Sequence, residues 1–145
     1  MKKFLKQYVV PVALSALLTS ALFFLVHGIP LWGVPDAADV VSVEITDTRL
    51  SPKARVLATP KDVEMAVNML GFLNYTPGAA DTEAPFLRFV YHLKDGSALS
   101  LEVSDKTVYW RGRAHAVKDD GANTLASIAQ GYFFFDLVAP GSAEN

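Results

Sequence analysis

The polar and apolar positions of this chain change rhythm as it proceeds. From Gln7 to Pro35 there is no Asp, Glu, Lys or Arg, and the titratable side chains there are Tyr8 and His27. Within it, "YVVPVALSALLTSALFFLV", Tyr8 to Val26, has the roughly 20 apolar residues a helix needs to cross a hydrocarbon layer about 30 Å thick. Pro11 falls in the first turns, where a lost hydrogen bond costs least. After Val40 the rhythm becomes two. Val41, Val43 and Ile45 alternate with Ser42, Glu44 and Thr46, which predicts a half-buried strand. "TRLSPKAR" reads as a turn, and Arg55–Ala58 as a second, short strand. In "TPKDVEMAVNMLGFL" the rhythm is helical. Val63, Ala66, Val67 and Leu70 form one stripe, which Met65 and Met69 broaden as core. Thr59 is placed to cap this helix, with Pro60 at its first position and Asp62 in its first turn.

"NYTPGAADTEAP", Asn74 to Pro85, predicts a long loop, either mobile or a contact surface. Alternation then resumes: Leu87, Phe89, Tyr91 and Leu93 share one face, Arg88, Val90, His92 and Lys94 the other. A three-residue turn, Lys94-Asp95-Gly96, pairs Leu93 with Ser97, Tyr91 with Leu99, Phe89 with Leu101 and Leu87 with Val103, so that the inward residues meet. A turn at Asp105-Lys106 extends the meander, with Val103 opposite Val108 and Leu101 opposite Trp110. "RGR" turns the chain, and "AHAV" predicts a short edge strand. "DDGANTLASIAQGYFF" predicts a closing helix, capped by Asp120 or Asn123, with Leu125, Ile128, Ala129 and Tyr132 as its stripe. The expected fold class is α+β: an N-terminal transmembrane helix, then a small antiparallel sheet of about four to five strands with two helices packed on one face. The expected organisation is a cytoplasmic segment 1–6, a signal-anchor helix 7–28, a linker 29–39, an extracytoplasmic domain 40–137 and a disordered tail 138–145.

Charge sets an expected orientation. Lys2, Lys3 and Lys6 precede the apolar tract and acids follow it, so the N-terminus is expected in the cytoplasm and the domain outside, anchored by a single span. The alternative is a secreted protein cleaved near Gly28, where "VHG" is an acceptable site; the length of the tract favours the anchor. Trp32 stands where an interfacial aromatic would anchor the helix end. After Pro35 there are ten Lys and Arg against fifteen Asp and Glu, a net charge of −5 that argues against nucleic acid as a partner. The chain has no cysteine, which removes disulfides, acyl anchors and thiolate chemistry, and suits a bacterial envelope domain.

Candidate chemistry is sparse. The register lines up Arg88, Glu102 and Tyr109 on the outer sheet face, and His92, Ala98 and Arg113 in a second row, a polar platform for a partner or an ordinary solvated face. Trp110 is expected in the core. "WRGRAHAVK" gathers Trp110, Arg111, Arg113 and Lys118 about a tight turn that could hold an anion such as a cell-wall phosphate. His92 and His115 stand alone on strands, without the spacing of a zinc site, and no nucleophile elbow or phosphate-binding glycine loop occurs. The expectation is no catalytic residue, no metal and no cofactor. Ser15 with Thr19, and Ala16 with Ser20, have the spacing that lets membrane helices approach closely.

Taken in order, "VSVEITD", "TPKDVE", "LKDGS" and "VYWRGRAHAV" resemble small membrane-anchored or secreted domains of unassigned role in Gram-positive, Firmicutes-type bacteria. The resemblance spans Val40 to Phe135, and "RAHAV" departs from it where a tyrosine is common. It implies no catalytic residues. The expected function is a non-enzymatic extracytoplasmic binding, accessory or sensory domain with a protein or envelope partner. The alternative is a small envelope enzyme or anion binder using Arg88, His92 and Glu102 or the Arg111–Arg113 turn.

Overall fold

The computed structural model describes residues 2–138. Helix α1 (Lys2–His27) runs unbroken through Pro11, buries none of its residues against the rest of the chain, and is long and apolar enough to cross a membrane. Its end is not followed by a free linker. Gly28, at φ 80°, turns the chain straight into strand β1 (Ile29–Pro30), which pairs with β4 (Asn74–Thr76) through Ile29–Tyr75 and Pro30–Asn74. A short 3-10 turn at Ala37–Asp39, capped by the Asp36 carboxylate, precedes β2 (Val40–Asp47). The region expected as linker 29–39 is therefore part of the fold, and Leu31 belongs to the hydrophobic core.

The remaining strands are β3 (Arg55–Leu57), β5 (Leu87–Leu93), β6 (Ala98–Val103), β7 (Thr107–Trp110) and β8 (Arg113–Val117). They form one antiparallel sheet of eight strands in the order β1-β4-β8-β7-β6-β5-β2-β3, not four to five. Two of the strands, β1 and β4, come from stretches read as linker and loop. They are two and three residues long, too short to show an alternation, and form by pairing with strands already in place.

The meander has the register that alternation required. Leu87 faces Val103, Arg88 faces Glu102, Phe89 faces Leu101 and Tyr91 faces Leu99, while Leu101 faces Trp110 and Val103 faces Val108. The Leu93 amide donates to the Ser97 carbonyl at 2.9 Å, closing the turn with Gly96 at φ 88°. Helices α2 (Pro60–Met69) and α3 (Gly121–Phe133) pack with the face that carries Ile45, Phe89, Leu101 and Trp110. The buried Tyr91 hydroxyl donates to the Ala66 carbonyl of α2 at 2.8 Å. Gln130 of α3 donates to the buried Asp47 carboxylate at 2.8 Å.

In α2 the Thr59 side chain accepts from the Asp62 amide, and Val63, Ala66 and Val67 are buried, as is Leu70 just beyond. The stripe of α3 differs from the expected one. Ala122, Leu125, Ala126, Ala129 and Phe133 are buried, whereas Ile128 and Tyr132 lie at the exposed margin. Asp120 occupies the cap position in a left-handed conformation and bonds the Asn123 amide rather than a helix N–H. The short α4 (Phe135–Val138) is fastened to β3 by Arg55, whose guanidinium donates to both Asp136 oxygens at 2.7 Å and to the Phe133 carbonyl. Val138, where the tail was expected to begin, ends this helix, and the rest of that tail lies outside the described residues.

Candidate functional site: a two-arginine cleft beside the end of α1

The residues singled out in the sequence divide between two faces of the sheet. On the outer face Arg88, Glu102 and Tyr109 form a row, as the register required, continued by Ala114. Arg88 Nε lies 3.6 Å from Glu102 Oε1, with the Arg88 side chain exposed and that of Glu102 half-buried. His92 faces Ala98 and places its Nε2 2.8 Å from Glu44 Oε2, a pairing across β2 and β5 that the meander alone did not reveal. The segment between Thr76 and Phe86 is strapped to β7. Thr107 Oγ1 donates to the Asp81 carbonyl at 2.7 Å and the Tyr109 hydroxyl to the Glu83 carbonyl at 2.9 Å. The polar groups of this face thus largely satisfy one another.

Arg113 does not extend the row of His92 and Ala98. Arg111 and Gly112, at φ 52° and 82°, form a two-residue hairpin turn that sets Arg113 directly opposite Trp110. Directly paired residues share a sheet face, so Arg113 joins Trp110 on the helix-bearing side. His115 follows it there, opposite Val108. An arginine at the first position of such a turn is unusual, because Asn or Asp followed by Gly fits the two positive φ values best. Holding Arg111 left-handed costs on the order of 1–2 kcal/mol.

Together these residues line a cleft of about 430 Å³ with Leu31, Trp32 and Tyr75. Its walls are aromatic. The Tyr75 and His115 rings lie 4.5 Å apart, and the Trp110 indole N–H donates to the Trp32 carbonyl at 2.6 Å, which pins the segment after β1 to the sheet. The Arg111 guanidinium packs on Gly33, where an added Cβ would stand 2.7 Å from it. Lys118, expected with the arginines, instead donates to the Leu25 carbonyl at 3.1 Å, satisfying a free acceptor in the last turn of α1.

The electrostatics of the cleft set it apart from the rest of the domain. Arg49 pairs with Asp105 at 2.8 Å, Arg55 with Asp136 at 2.7 Å and Arg88 with Glu102 at 3.6 Å. Among the described residues, Arg111 and Arg113 have no carboxylate within ion-pair distance, and no carboxylate lines the cleft. His115 is held below its ordinary pKa, first by burial and then by the neighbouring Arg113 cation, so at neutral pH it is an uncharged donor and acceptor. Two unneutralised guanidinium forks within aromatic walls are chemistry for holding an oxyanion.

No protein-family model matches the chain, and the comparisons with curated proteins and with solved structures find no match either. What the cleft can do follows from its own groups. Among the described residues, no group of three His, Asp or Glu side chains is arranged to hold a metal ion. Sequence reasoning reached Arg111 and Arg113 but not Leu31, Trp32, Tyr75 or His115 as their companions. The arginine at the first turn position stands out only once the two-residue hairpin is seen, because Asn or Asp would ordinarily announce such a turn.

Ser15, Ala16, Thr19 and Ser20 do share a shallow groove along α1, bounded by residues including Tyr8 and Phe23. The Thr19 hydroxyl is turned inward onto the Ser15 carbonyl at 2.8 Å.

Proposed function

We propose that this chain is a membrane-anchored, extracytoplasmic binding domain, non-enzymatic, whose ligand seat is the Arg111–Arg113 cleft. The carrying observation is that the only two arginines without an acidic partner among the described residues line the same cleft. Supporting it, Trp32 of that cleft follows the end of α1 by a few residues, and β1 and Lys118 join that helix end to the sheet. A span through a bilayer would hold the seat near the headgroups rather than on a free tether. Three lysines in the first turns of α1 and acids after it favour the N-terminus inside and the domain outside. The groove of small residues on α1 is the surface by which the helix would meet another span.

The outer face is the weaker candidate for contact, because Arg88, His92 and Tyr109 are each engaged within the chain. Protease added to intact protoplasts tests the location: loss of the domain is expected, and full protection would refute it. Capture of envelope components by the detergent-solubilised full chain tests the seat. Arg113→Gln should reduce capture and Arg88→Gln should not; the reverse pattern would return the site to the outer face.

A further inference from the structure

Resting on the reading of the cleft as a ligand seat, we propose that the group it takes is a phosphoryl oxyanion, carried either by a membrane-lipid headgroup or by a soluble phosphate ester. The argument begins with geometry. Arg111 and Arg113 are separated by one residue in a tight turn, yet both line the cleft and neither is neutralised by the chain among the described residues. One guanidinium fork can already engage both oxygens of a carboxylate, which carries a single negative charge. A phosphoryl group presents enough oxygens to engage two forks at once. Two forks without a carboxylate of the chain to answer them therefore match the larger charge and third oxygen of a phosphoryl group better than a carboxylate.

The surroundings point the same way. The domain after Pro35 is net negative, so this positive spot is local and is not part of a general basic surface. His115, uncharged at neutral pH, can add a hydrogen bond without adding charge. Trp32, Trp110 and Tyr75 supply apolar walls for whatever the phosphate is esterified to, and about 430 Å³ lies within the range of small-ligand clefts. The turn holds Arg111 in a left-handed conformation that Asn or Asp would adopt with less strain, so the arginine is not there for the backbone's sake. The place of the cleft, beside the end of α1, is where the headgroup of an outer-leaflet lipid would stand.

The chain provides its own reporter, because its two tryptophans, Trp32 and Trp110, both line the cleft. The full chain in uncharged maltoside micelles is titrated with two probes, glycerol phosphate in solution and phosphatidylglycerol mixed into the micelle. Diacylglycerol and acetate serve as controls without phosphate. A saturable change in tryptophan emission is expected with at least one phosphate probe and with neither control. Response to both probes assigns a soluble ester; response to the lipid alone assigns the headgroup. Arg113→Gln should weaken the response at least tenfold, Arg113→Lys should weaken it less, and Arg88→Gln should leave it unchanged. Circular dichroism on each variant separates lost binding from lost fold. No saturable response to either probe would overturn the proposal, as would equal binding by folded Arg113→Gln. Protection of the domain in protoplasts would instead remove the extracytoplasmic location and leave a positive emission result standing.

Discussion

The indole N–H of Trp110 donates to the carbonyl of Trp32 at 2.6 Å, joining the centre of the sheet to the segment that leaves α1. Trp110 is buried opposite Leu101, and its ring stands edge-on to Tyr91. It therefore does two jobs, filling the core and holding one wall of the cleft. Trp110→Ala should destabilise the full chain in micelles by roughly 3–5 kcal/mol, the usual cost of truncating a large core side chain. Trp110→Phe keeps most of the packing and loses the hydrogen bond, for about 1 kcal/mol. Denaturant titration followed by circular dichroism measures both, and a change below about 1 kcal/mol for the alanine variant would contradict this packing.

Gly28 makes the junction between helix and sheet. Its φ is 80°, and a Cβ there would stand 2.9 Å from Asn74 Cβ and 3.2 Å from the Tyr75 carbonyl. Gly28→Ala should cost on the order of 1–3 kcal/mol and free β1 from β4. Hydrogen exchange at the amides of β1 and β4 should quicken in this variant while β5 and β6 keep their protection.

Arg88 and Glu102 should matter little to stability. Their pair is long and open to solvent on the Arg88 side, so replacing either should change unfolding free energy by less than about 1 kcal/mol. The strap beside them is different. Deleting Gly78 to Thr82 removes the Asp81 carbonyl and leaves the buried Thr107 hydroxyl without its acceptor, a loss of about 1–3 kcal/mol. If the deletion leaves the denaturation midpoint unmoved, the strap is not holding the sheet.

Acid should weaken the fold through His115. Burial, then Arg113, lowers its pKa below the ordinary 6.5, so the unfolded chain binds its proton more readily than the folded one. Its contribution is complete above about 6.5 and declines as pH falls from there toward the folded pKa. Asp136, lowered chiefly by its hydrogen bonds from Arg55, acts in a separate window. Its stabilisation is present above the ordinary 3.8 and is lost as pH falls through the lower folded value. Melting curves from pH 7 to 5 should slope downward in the native chain and less steeply in His115→Gln; equal slopes would place the titration elsewhere.

Arg111→Asn should raise stability by about 1 kcal/mol, since asparagine tolerates the left-handed conformation that arginine occupies at φ 52°. It should also shorten the reach into the cleft. A more stable, weaker-binding variant is the expected pair of outcomes. A less stable one would mean that the contact of Arg111 with Gly33 outweighs the backbone strain.

Much of the architecture was determined by sequence alone, because the deciding forces are local or periodic. The apolar run from Tyr8 to Val26 has the length and composition of a long helix, and α1 spans it. Thr59 and Pro60 marked where α2 begins. The alternation from Leu87 to Trp110 admitted one register that kept every inward residue inward, and that register is the one observed. Tertiary structure decided what period and propensity do not encode. β1 and β4 carry too few residues for any pattern and exist because neighbouring strands offer unpaired N–H and C=O groups. Ile128 and Tyr132 continue the helical stripe of α3, yet the sheet meets a face one step round, through Ala122, Ala126 and Phe133. Arg113 changed sides because the turn before it holds two residues with positive φ, a conformation that an arginine in the first position gave little reason to expect. The cleft is the plainest case. Trp32, Tyr75 and the Trp110–Arg113 hairpin come from three separate stretches, and only chain folding, by pairing β1 with β4 and β4 with β8, brings them around one space.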